Sequence, residues 1–452
     1  MKPAKPFEHY HSGGALPLRG MIYFSRLPEG IMPSINKLDL VKAFSGVLDM
    51  VNSTLASHHL RVAYITDQIC GRLEIPAALR HRTLIAAMLH DIGVIPLHDQ
   101  ADNLVFEKEM QRHSNAGWLL LSTCALLREE GRIIRYHHTN WNKINQLDEG
   151  KQLAARLGNI IHLADMIDVN VRTHPGRLPR LLRIITDGSG SLYAPDYVEA
   201  ARDIVSAPDF FNDLTEAAKS LPVPLTDDLA LSRDETTLYS QLFSHVIDAR
   251  SPFTATHSSG VAHLGLFLHR LAGMEDMDRP AMFVAGLLHD IGKVGVPLEY
   301  IEKEGPLTKE EFAAVSCHAG ISYEVLSSIP GFNRIAPWGA WHHERLNGGG
   351  YPNRLSGEAI PAESRIIAVA DVLTALTEDR PYRPGLDNDQ TLKILDKMVA
   401  EGGLDGDIVS LVRANIEDIN QVRLFAQTLA GKFFRGLTSD IRKAVGESPD
   451  KA

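Results

Sequence analysis

The sequence predicts an all-α fold built from two tandem helical bundles, and three observations support that prediction. Apolar residues recur at helical spacing along nearly the whole chain, with little of the alternation that marks strands. The chain has 452 residues, which is enough for two or three domains that each bury a core. An internal repeat of histidines and aspartates indicates that two of these domains are copies of one another.

Composition excludes several classes of function. Hydrophobic residues make up 44% of the chain and charged residues 23%, as in ordinary globular domains. The net charge of -10 leaves no broad basic surface, so we expect no binding to duplex DNA or RNA. Three scattered cysteines, Cys70, Cys124 and Cys317, suit a reducing compartment. We find no signal peptide or apolar run that would span a bilayer, and therefore expect a cytoplasmic protein without a membrane partner.

Local signals mark the start of individual helices. The stretch 76–91 opens with a proline suited to a first helical turn and continues with apolar residues along one face. Asp278 is expected as the N-cap of a second such helix, with Pro280 just inside it. The residues 308–311 have the Thr-x-x-Glu pattern of a capping box, which predicts the start of the helix that carries His318.

The repeat consists of five histidines and two aspartates in the same order in both halves. In each half a first histidine precedes a His-Asp pair by 32 residues, and a later histidine precedes a His-His pair by 24 residues. An aspartate in a similar helical context closes each set. The sets are His58, His90, Asp91, His113, His137, His138 and Asp165, and His257, His289, Asp290, His318, His342, His343 and Asp371. The offset between halves is 199 residues at the first histidines, 205 at the middle ones and 206 at the last aspartates. We interpret the halves as one duplicated domain with a six-residue insertion in the second copy, before the middle histidines.

The repeat also suggests domain boundaries. We expect an N-terminal domain over 1–195, a linker over 196–235, a second domain over 236–440 and a polar tail over 441–452. The linker is placed by glycines and prolines that lie among acidic residues from 188 to 224, and parts of it can still be helical.

Each set of seven residues is typical of a metal centre. Several helices of a bundle can each project one or two ligands inward, and seven ligands exceed what one tetrahedral ion requires. The count therefore predicts two ions bridged by a carboxylate. Imidazole and carboxylate ligands without thiolate favour iron, manganese, nickel or zinc. A lone histidine at a helix end is more often a packed or capping residue, so the argument depends on the recurrence of the whole pattern.

The second half resembles the HD-GYP subgroup of the HD-domain metal-dependent phosphohydrolases, over roughly 240–410. The residues that carry the resemblance are His257, His289-Asp290-Ile291-Gly292-Lys293, Pro297, the loop 305–308, His318, the run from His342 to Gly350-Tyr351-Pro352, Asp371 and Arg380-Pro381-Tyr382-Arg383. The first half resembles an HD domain that keeps the ligand pattern. It has Val94 where the second half has Lys293, and no Gly-Tyr-Pro follows its histidine pair.

The resemblance implies that the second half is an enzyme that hydrolyses a cyclic dinucleotide. Cyclic di-GMP and 3′,3′-cyclic GMP-AMP both stay open as substrates, because each presents two phosphates and at least one guanine. By the resemblance, one divalent ion would be held by His257, His289, Asp290 and Asp371, and the other by His318, His342 and His343, with Asp290 bridging. We expect iron or manganese, with nickel as the alternative. Such a pair supplies hydroxide at neutral pH and neutralises the phosphate oxygens in the in-line transition state.

Lys293 is expected to take part in catalysis alongside the bridging aspartate. It lies at i+4 from His289, on the same face if the helix continues, where it would bind a phosphate oxygen or assist the leaving oxygen. Some positions depart from the family pattern. Asn347 replaces an aspartate, which could weaken a loop hydrogen bond, and Ser251 replaces an aspartate that contacts substrate. Phe253 stands where some members have a third-metal glutamate, which favours two ions over three.

Further residues are expected to bind the substrate. By the resemblance, the loop of Gly350, Tyr351 and Pro352 lies at the mouth of the site, where the tyrosine can hydrogen-bond to a guanine or stack on it. Arg380 and Arg383 would bind the dinucleotide, since the planar guanidinium suits a second phosphate or a guanine edge.

The first-half site, which lacks the lysine and the loop, is expected to be slow or silent on cyclic dinucleotides. We favour a regulatory role for it, with a second phosphohydrolase or a structural remnant as alternatives. For the whole protein the rival hypotheses are a cyclic-dinucleotide receptor or scaffold with structural metals, and an HD phosphohydrolase acting on nucleoside monophosphates or triphosphates. Expected partners are the cyclic dinucleotide and either a second copy of the chain or a signalling protein.

Overall fold

Helices make up 73% of the chain that the computed structural model describes, which is residues 35–51, 56–97, 107–174, 176–219, 221, 230–251, 256–274, 278–379 and 384–446. The predicted all-α class is confirmed. Two strands of two residues each, β1 (Ile35–Asn36) and β2 (Ala230–Leu231), pair in a small sheet. Among the described helices, none combines the length and the apolar character that crossing a membrane requires.

The chain divides into two compact units, which we call the N-terminal unit (Asn36–Leu229) and the C-terminal unit (Ala230–Phe434). The described helices of the N-terminal unit are α1 (Lys37–Asp49), α2 (His58–Arg72), α3 (Ala77–Met88), α4 (Glu107–Ser122), α5 (Arg128–Arg135), α6 (Trp141–Ile144), α7 (Glu149–Thr173), α8 (Leu178–Asp187), α9 (Pro195–Val205) and α10 (Phe210–Ala217). Short 3-10 helices cover Ile92–Leu97 and Ala125–Leu127.

The described helices of the C-terminal unit follow a similar order. They are α11 (Arg233–Asp248), α12 (His257–Leu271), α13 (Arg279–Leu288), α14 (Leu298–Ile301), α15 (Lys309–Ser327), α16 (Ile335–Ala340), α17 (Ala362–Thr377), α18 (Asn388–Ala400), α19 (Gly406–Ala414) and α20 (Ile416–Val445), with 3-10 helices at Ile291–Gly295 and Gly357–Ala359. The last part of α20, from Arg435, clusters with the N-terminal unit.

The helices that carry the repeated histidines and aspartates occur in the same order in both units. These pairs are α2 and α12, α3 and α13, α4 and α15, α5 and α16, and α7 and α17. In the C-terminal unit, α12 packs on α13 and α17 through a core that includes Leu264, Met282 and Ile367. Because each unit packs these helices around its own core, ligands that are far apart in sequence come together at one end of a bundle.

The helix starts mostly follow the sequence signals. Thr308 and Glu311 form the predicted capping box, with the Thr308 hydroxyl accepting from the Glu311 backbone N–H at 3.2 Å. Asp278 occupies the predicted N-cap position of α13, but its carboxylate accepts two hydrogen bonds from Arg334, each at 3.0 Å, instead of capping the helix. Pro76 lies at the N-cap of α3, one position before the first helical residue.

The predicted domain boundaries differ from the compact units at the linker and at the tail. Much of the segment 196–235 is helical, because α9 and α10 bury apolar residues such as Ile204 and Phe210 against the N-terminal unit. The prolines near these residues favoured a linker, although the residues themselves have helical spacing. The described part of the segment 441–452 continues α20 as far as Val445 and buries Ile441.

Close approach of two backbones sets the position of the His-Asp pair in the C-terminal unit. A Cβ on Gly292 would lie 2.1 Å from the carbonyl oxygen of His318 and 2.8 Å from the backbone nitrogen of Ser322. The Gly292 N–H donates to the Ser322 hydroxyl at 2.9 Å. Only glycine therefore lets the 3-10 helix after Asp290 lie directly against α15. A Cβ on Gly93 would be equally close to the carbonyl oxygen of His113 in the N-terminal unit, at 2.0 Å.

We expect Gly292→Ala to destabilise the C-terminal unit by about 2 kcal/mol, because the added methyl group must push the 3-10 helix away from α15. Gly320→Ala is the matched control in α15, since a Cβ there would meet only Pro352 at 3.9 Å. The control should be neutral or slightly stabilising. Thermal unfolding of both variants measures the difference, and equal melting temperatures would contradict the packing argument.

Candidate functional site

The seven residues of the second repeat lie together in the C-terminal unit. The first histidine begins α12, the His-Asp pair follows α13, the third histidine lies in α15, the histidine pair follows α16, and the last aspartate lies in α17. Their ligand atoms form overlapping groups within 4.8 Å of one another, which are His257, His289 and Asp371, then His289, Asp290 and His342, and then His318, His342 and His343. Five helices therefore supply one cluster of donors.

The two carboxylate oxygens of Asp290 face two different groups of histidines. Its Oδ2 lies 3.0 Å from Nε2 of His289 and 3.9 Å from Nε2 of His257. Its Oδ1 lies 3.3 Å from Nε2 of His318 and 3.8 Å from Nε2 of His342. Asp371 completes the first group, with its Oδ1 at 3.1 Å from His257 Nε2. A carboxylate in this position can bridge two cations.

The histidine tautomers fit a metal site. Nδ1 of His289, His318 and His342 lies 2.8, 2.6 and 2.7 Å from a backbone carbonyl three residues earlier, and so carries the proton. Each neutral ring therefore has a lone pair on Nε2. These three nitrogens and Asp290 Oδ1 are buried and have no hydrogen-bond partner among the described residues. Buried acceptors without donors are costly, and divalent cations would satisfy all of them.

Charges in the cluster keep its donors in states that suit metal binding. Burial opposes ionisation of Asp290, but favourable interactions with His289 and with the ammonium of Lys293 prevail and hold the pKa of the carboxyl well below its usual range. Burial lowers the pKa of His342 to about 3, so that ring is neutral. Burial also disfavours charge on His257, but hydrogen bonds to Asp371 and a second carboxylate prevail and raise its pKa to about 10. A bound ion would replace that proton.

The second carboxylate is Glu378, a residue that the sequence analysis missed. Its Oε2 lies 3.2 Å from Nδ1 of His257, and its Oε1 accepts hydrogen bonds from Thr256 at 3.0 Å and Gln427 at 2.7 Å. Such an outer carboxylate orients a ligating imidazole and raises its basicity. The signal in the sequence is its place seven residues, or two helical turns, after Asp371.

Two cations line the same pocket as Asp290. Lys293 donates to Asp290 Oδ2. It lies on the 3-10 helix Ile291–Gly295, which follows α13, so the predicted i+4 relation of an α-helix does not describe its position relative to His289. Arg250, which the sequence analysis missed, donates through Nη1 to the backbone carbonyls of Lys293, at 2.6 Å, and Val294. Both cations line a pocket with Asp290 and Ser251, and the Ser251 hydroxyl donates to Glu302 at 3.1 Å.

The Gly-Tyr-Pro loop packs against the histidine pair. A Cβ on Gly350 would lie 2.5 Å from the carbonyl oxygen of His343, so the close approach requires glycine. The ring of Tyr351 lies 4.8 Å from the ring of His343, centroid to centroid. Buried Glu344, also missed, holds the loop by accepting from the backbone N–H groups of Asn353 at 2.6 Å and of residue 355 at 2.9 Å.

Asn347, which we expected to weaken a loop hydrogen bond, makes two hydrogen bonds with its side chain. Its Oδ1 accepts from the Gly349 N–H at 2.8 Å, and its Nδ2 donates to the Glu401 carbonyl at 2.7 Å. The predicted roles of Arg380, Arg383 and Phe253 concern residues that lie outside the described part of the chain.

The first repeat also forms a cluster, inside the N-terminal unit. Asp91 Oδ2 lies 4.0 Å from Nε2 of His58 and 3.3 Å from Nε2 of His90. Asp91 Oδ1 lies 3.3 Å from Nε2 of His113 and 4.0 Å from Nε2 of His137. Nε2 of His138 lies 3.1 Å from Nε2 of His113. Oδ1 of Asp165 lies 3.5 Å from Nε2 of His58. The arrangement of Asp91 matches that of Asp290.

The surroundings of the first cluster differ from those of the second. Val94 and Val51 stand at the positions of Lys293 and Arg250. His59, the residue after the first histidine, has its Nδ1 2.5 Å from Asp49 Oδ1. The carboxylate that orients the first histidine is Asp168, whose Oδ2 lies 2.7 Å from His58 Nδ1. His162, a further missed histidine, has its ring 5.3 Å from the ring of His138.

Comparison with known proteins agrees with the duplication. Two HD domain families match this chain, one over residues 55–170 and one over residues 241–408. The 3'3'-cGAMP-specific phosphodiesterase 1 of Vibrio cholerae is 30% identical over 424 residues, which cover 87% of this chain and 96% of the relative. The cyclic di-GMP phosphodiesterase response regulator RpfG of Xanthomonas campestris is 36% identical over 156 residues, or 34% of this chain and 41% of the relative.

A solved structure shares the fold. The crystal structure of a cyclic GMP-AMP specific phosphodiesterase of V. cholerae matches with a TM-score of 0.61 at 24% identity and covers 85% of this chain and 98% of that one. Fold and ligand spacing thus define a protein of the metal-dependent HD class. The chain belongs to the HD-GYP phosphodiesterase family and carries a second HD domain in its N-terminal half. The predicted family is confirmed.

We expect Glu378→Gln to weaken metal binding by the C-terminal unit about tenfold to 100-fold, because the neutral amide no longer holds His257 in orientation or raises its basicity. Competition with a chelator, followed by metal analysis of the protein, measures the affinity. Glu363→Gln, in the first turn of the same helix α17, is the matched control and should bind metal as the wild type does. Equal affinities in the wild type and Glu378→Gln would contradict the orienting role.

Proposed function

We propose that this protein is a metal-dependent phosphodiesterase that hydrolyses a cyclic dinucleotide second messenger in its C-terminal unit. The observation that carries the proposal is the position of Asp290, whose two oxygens face separate groups of histidines beside Lys293. A receptor would have no use for a bridging carboxylate with a lysine next to it. The family membership and the names of the relatives support the same class of reaction.

In this proposal the C-terminal unit holds two divalent ions, iron or manganese, with nickel as the alternative. His257, His289 and Asp371 would hold one ion, and His318, His342 and His343 would hold the other, with Asp290 shared between them. When bound, the pair supplies a hydroxide nucleophile at neutral pH and Lewis-acid stabilisation of the phosphate oxygens. The unpartnered Nε2 atoms and the ionised carboxylates support this donor set.

The remaining residues of the site bind the substrate or position the residues that bind it. Lys293 places its ammonium at the edge of the centre, where it can move from Asp290 to a non-bridging phosphate oxygen or give a proton to the leaving oxygen. Arg250 fixes the backbone at residues 293–294, so the lysine side chain starts from a fixed point. Tyr351 binds a guanine at the mouth of the site. Arg380 and Arg383 bind the second phosphate or a guanine.

The proposed substrates are cyclic di-GMP and 3′,3′-cyclic GMP-AMP. One relative, which aligns with 87% of this chain and 96% of its own length, is named for 3'3'-cGAMP. That compound is therefore the first to test. Relatives that match over the second half alone include proteins named for cyclic di-GMP. Both compounds present two phosphodiesters to the same centre.

For the N-terminal unit we propose a metal-binding regulatory site. The support is that Asp91 repeats the arrangement of Asp290, while valines replace both cations beside it. A site of this kind can hold metal. It lacks counterparts of Lys293 and Arg250, the cations that would neutralise phosphate oxygens not bound to the metal ions. We therefore expect no turnover of cyclic dinucleotides there.

The test is hydrolysis by anaerobically purified full-length protein supplied with Fe(II) or Mn(II), with products separated by chromatography. We expect turnover of at least one of the two cyclic dinucleotides. Lys293→Met should lower kcat about 100-fold or more with metal still bound, because the phosphate contact is removed while all seven proposed metal ligands remain. Lys219→Met is the control, since that exposed lysine pairs with Glu216 in the N-terminal unit, and it should keep full activity.

Wild-type protein that binds a cyclic dinucleotide but cleaves none with either metal would support the receptor hypothesis and overturn the proposed activity. Cleavage of nucleoside monophosphates or triphosphates with no action on cyclic dinucleotides would support the general HD phosphohydrolase instead.

A further inference from the structure

Phe312 is a large aromatic side chain that the C-terminal unit leaves open to solvent. It lies in α15, six residues before His318, and is 52% exposed. Its ring meets the ring of Tyr351 edge to face, with centroids 5.9 Å apart and planes at 89°. Tyr351 in turn lies against His343. The two aromatic rings therefore lead outward from the candidate metal ligands to the surface.

Core packing does not account for this phenylalanine, because half of its surface is outside the core. The duplicated sequence offers a comparison. With the offset of 205 residues that relates His113 to His318, the position of Phe312 corresponds to Glu107 in the first half, which also has no counterpart of Tyr351. The aromatic pair thus occurs only in the half that has Lys293 and Arg250 beside its bridging aspartate.

A cyclic dinucleotide needs such a surface. Its phosphates are drawn to the cationic centre, and its planar bases must then lie at the mouth, where an aromatic side chain can stack on them. We propose that Phe312, together with Tyr351, forms an aromatic platform that binds one purine base of the substrate. The inference rests on the proposed function and adds a substrate-binding residue to it. Stacking is tolerant of base identity, so the platform accepts guanine and adenine alike.

The test uses a cyclic dinucleotide with phosphorothioate linkages that resist hydrolysis and with 2-aminopurine in place of one base, because stacking quenches its fluorescence. Titration into metal-loaded full-length protein gives both a Kd and the degree of quenching. Phe312→Leu keeps apolar volume but removes the aromatic face, and it should raise Kd about tenfold and relieve the quenching. Phe312→Trp should stay within about twofold of the wild type.

Leu424→Ala is the matched control, since Leu424 is 53% exposed on α20 and should not affect Kd. Thermal unfolding checks that every variant is folded, and the tryptophan variant keeps the test valid even if leucine disturbs α15. Wild-type Kd and quenching in Phe312→Leu, with hydrolysis intact, would overturn the platform and leave the proposed function standing. Wild-type protein that neither binds nor cleaves any cyclic dinucleotide would overturn both.

Discussion

The buried carboxylate of Asp290 is the group around which the C-terminal unit is organised. Only 3% of this residue is exposed, and an ionised carboxylate at such depth is unfavourable unless cations surround it. The protein supplies Lys293 and a ring of histidines, but three of those rings present lone pairs rather than protons. The balance of donors and acceptors therefore requires metal ions, and the glycine after the His-Asp pair keeps Asp290 close enough to α15 for both groups of ligands to share it.

The two halves show how one framework can carry different chemistry. Asp91 and Asp290 have nearly the same distances to their histidines. The set of candidate metal ligands therefore does not distinguish the two units. The differences lie one layer further out, where lysine and arginine are replaced by valines and a phenylalanine by a glutamate. These substitutions remove the positive charge and the aromatic surface that a cyclic dinucleotide would need. This pattern supports the proposal that one copy of the duplicated domain catalyses and the other regulates.

The sequence was sufficient for the fold class and for the set of candidate ligands, because histidine spacing that recurs twice is hard to obtain by chance. It was not sufficient for the residues that act on those ligands. Glu378 and Asp168 both orient the first histidine of their unit, yet they lie seven and three residues after the last aspartate, so the repeat does not align them. Arg250 works through backbone carbonyls, and such contacts leave no pattern in the side chains. The helices α9 and α10 were missed because prolines and glycines nearby resembled a linker.

Paired substitution of the two bridging aspartates tests the central claim most directly. Asp290→Asn and Asp91→Asn should each lose about two metal ions per chain, because the neutral amide cannot bridge. Turnover of cyclic dinucleotides should disappear in Asp290→Asn and persist in Asp91→Asn, measured on the same samples as the metal content. Full activity in Asp290→Asn, or loss of hydrolysis in Asp91→Asn with the other pair of ions still bound, would contradict catalysis in the C-terminal unit.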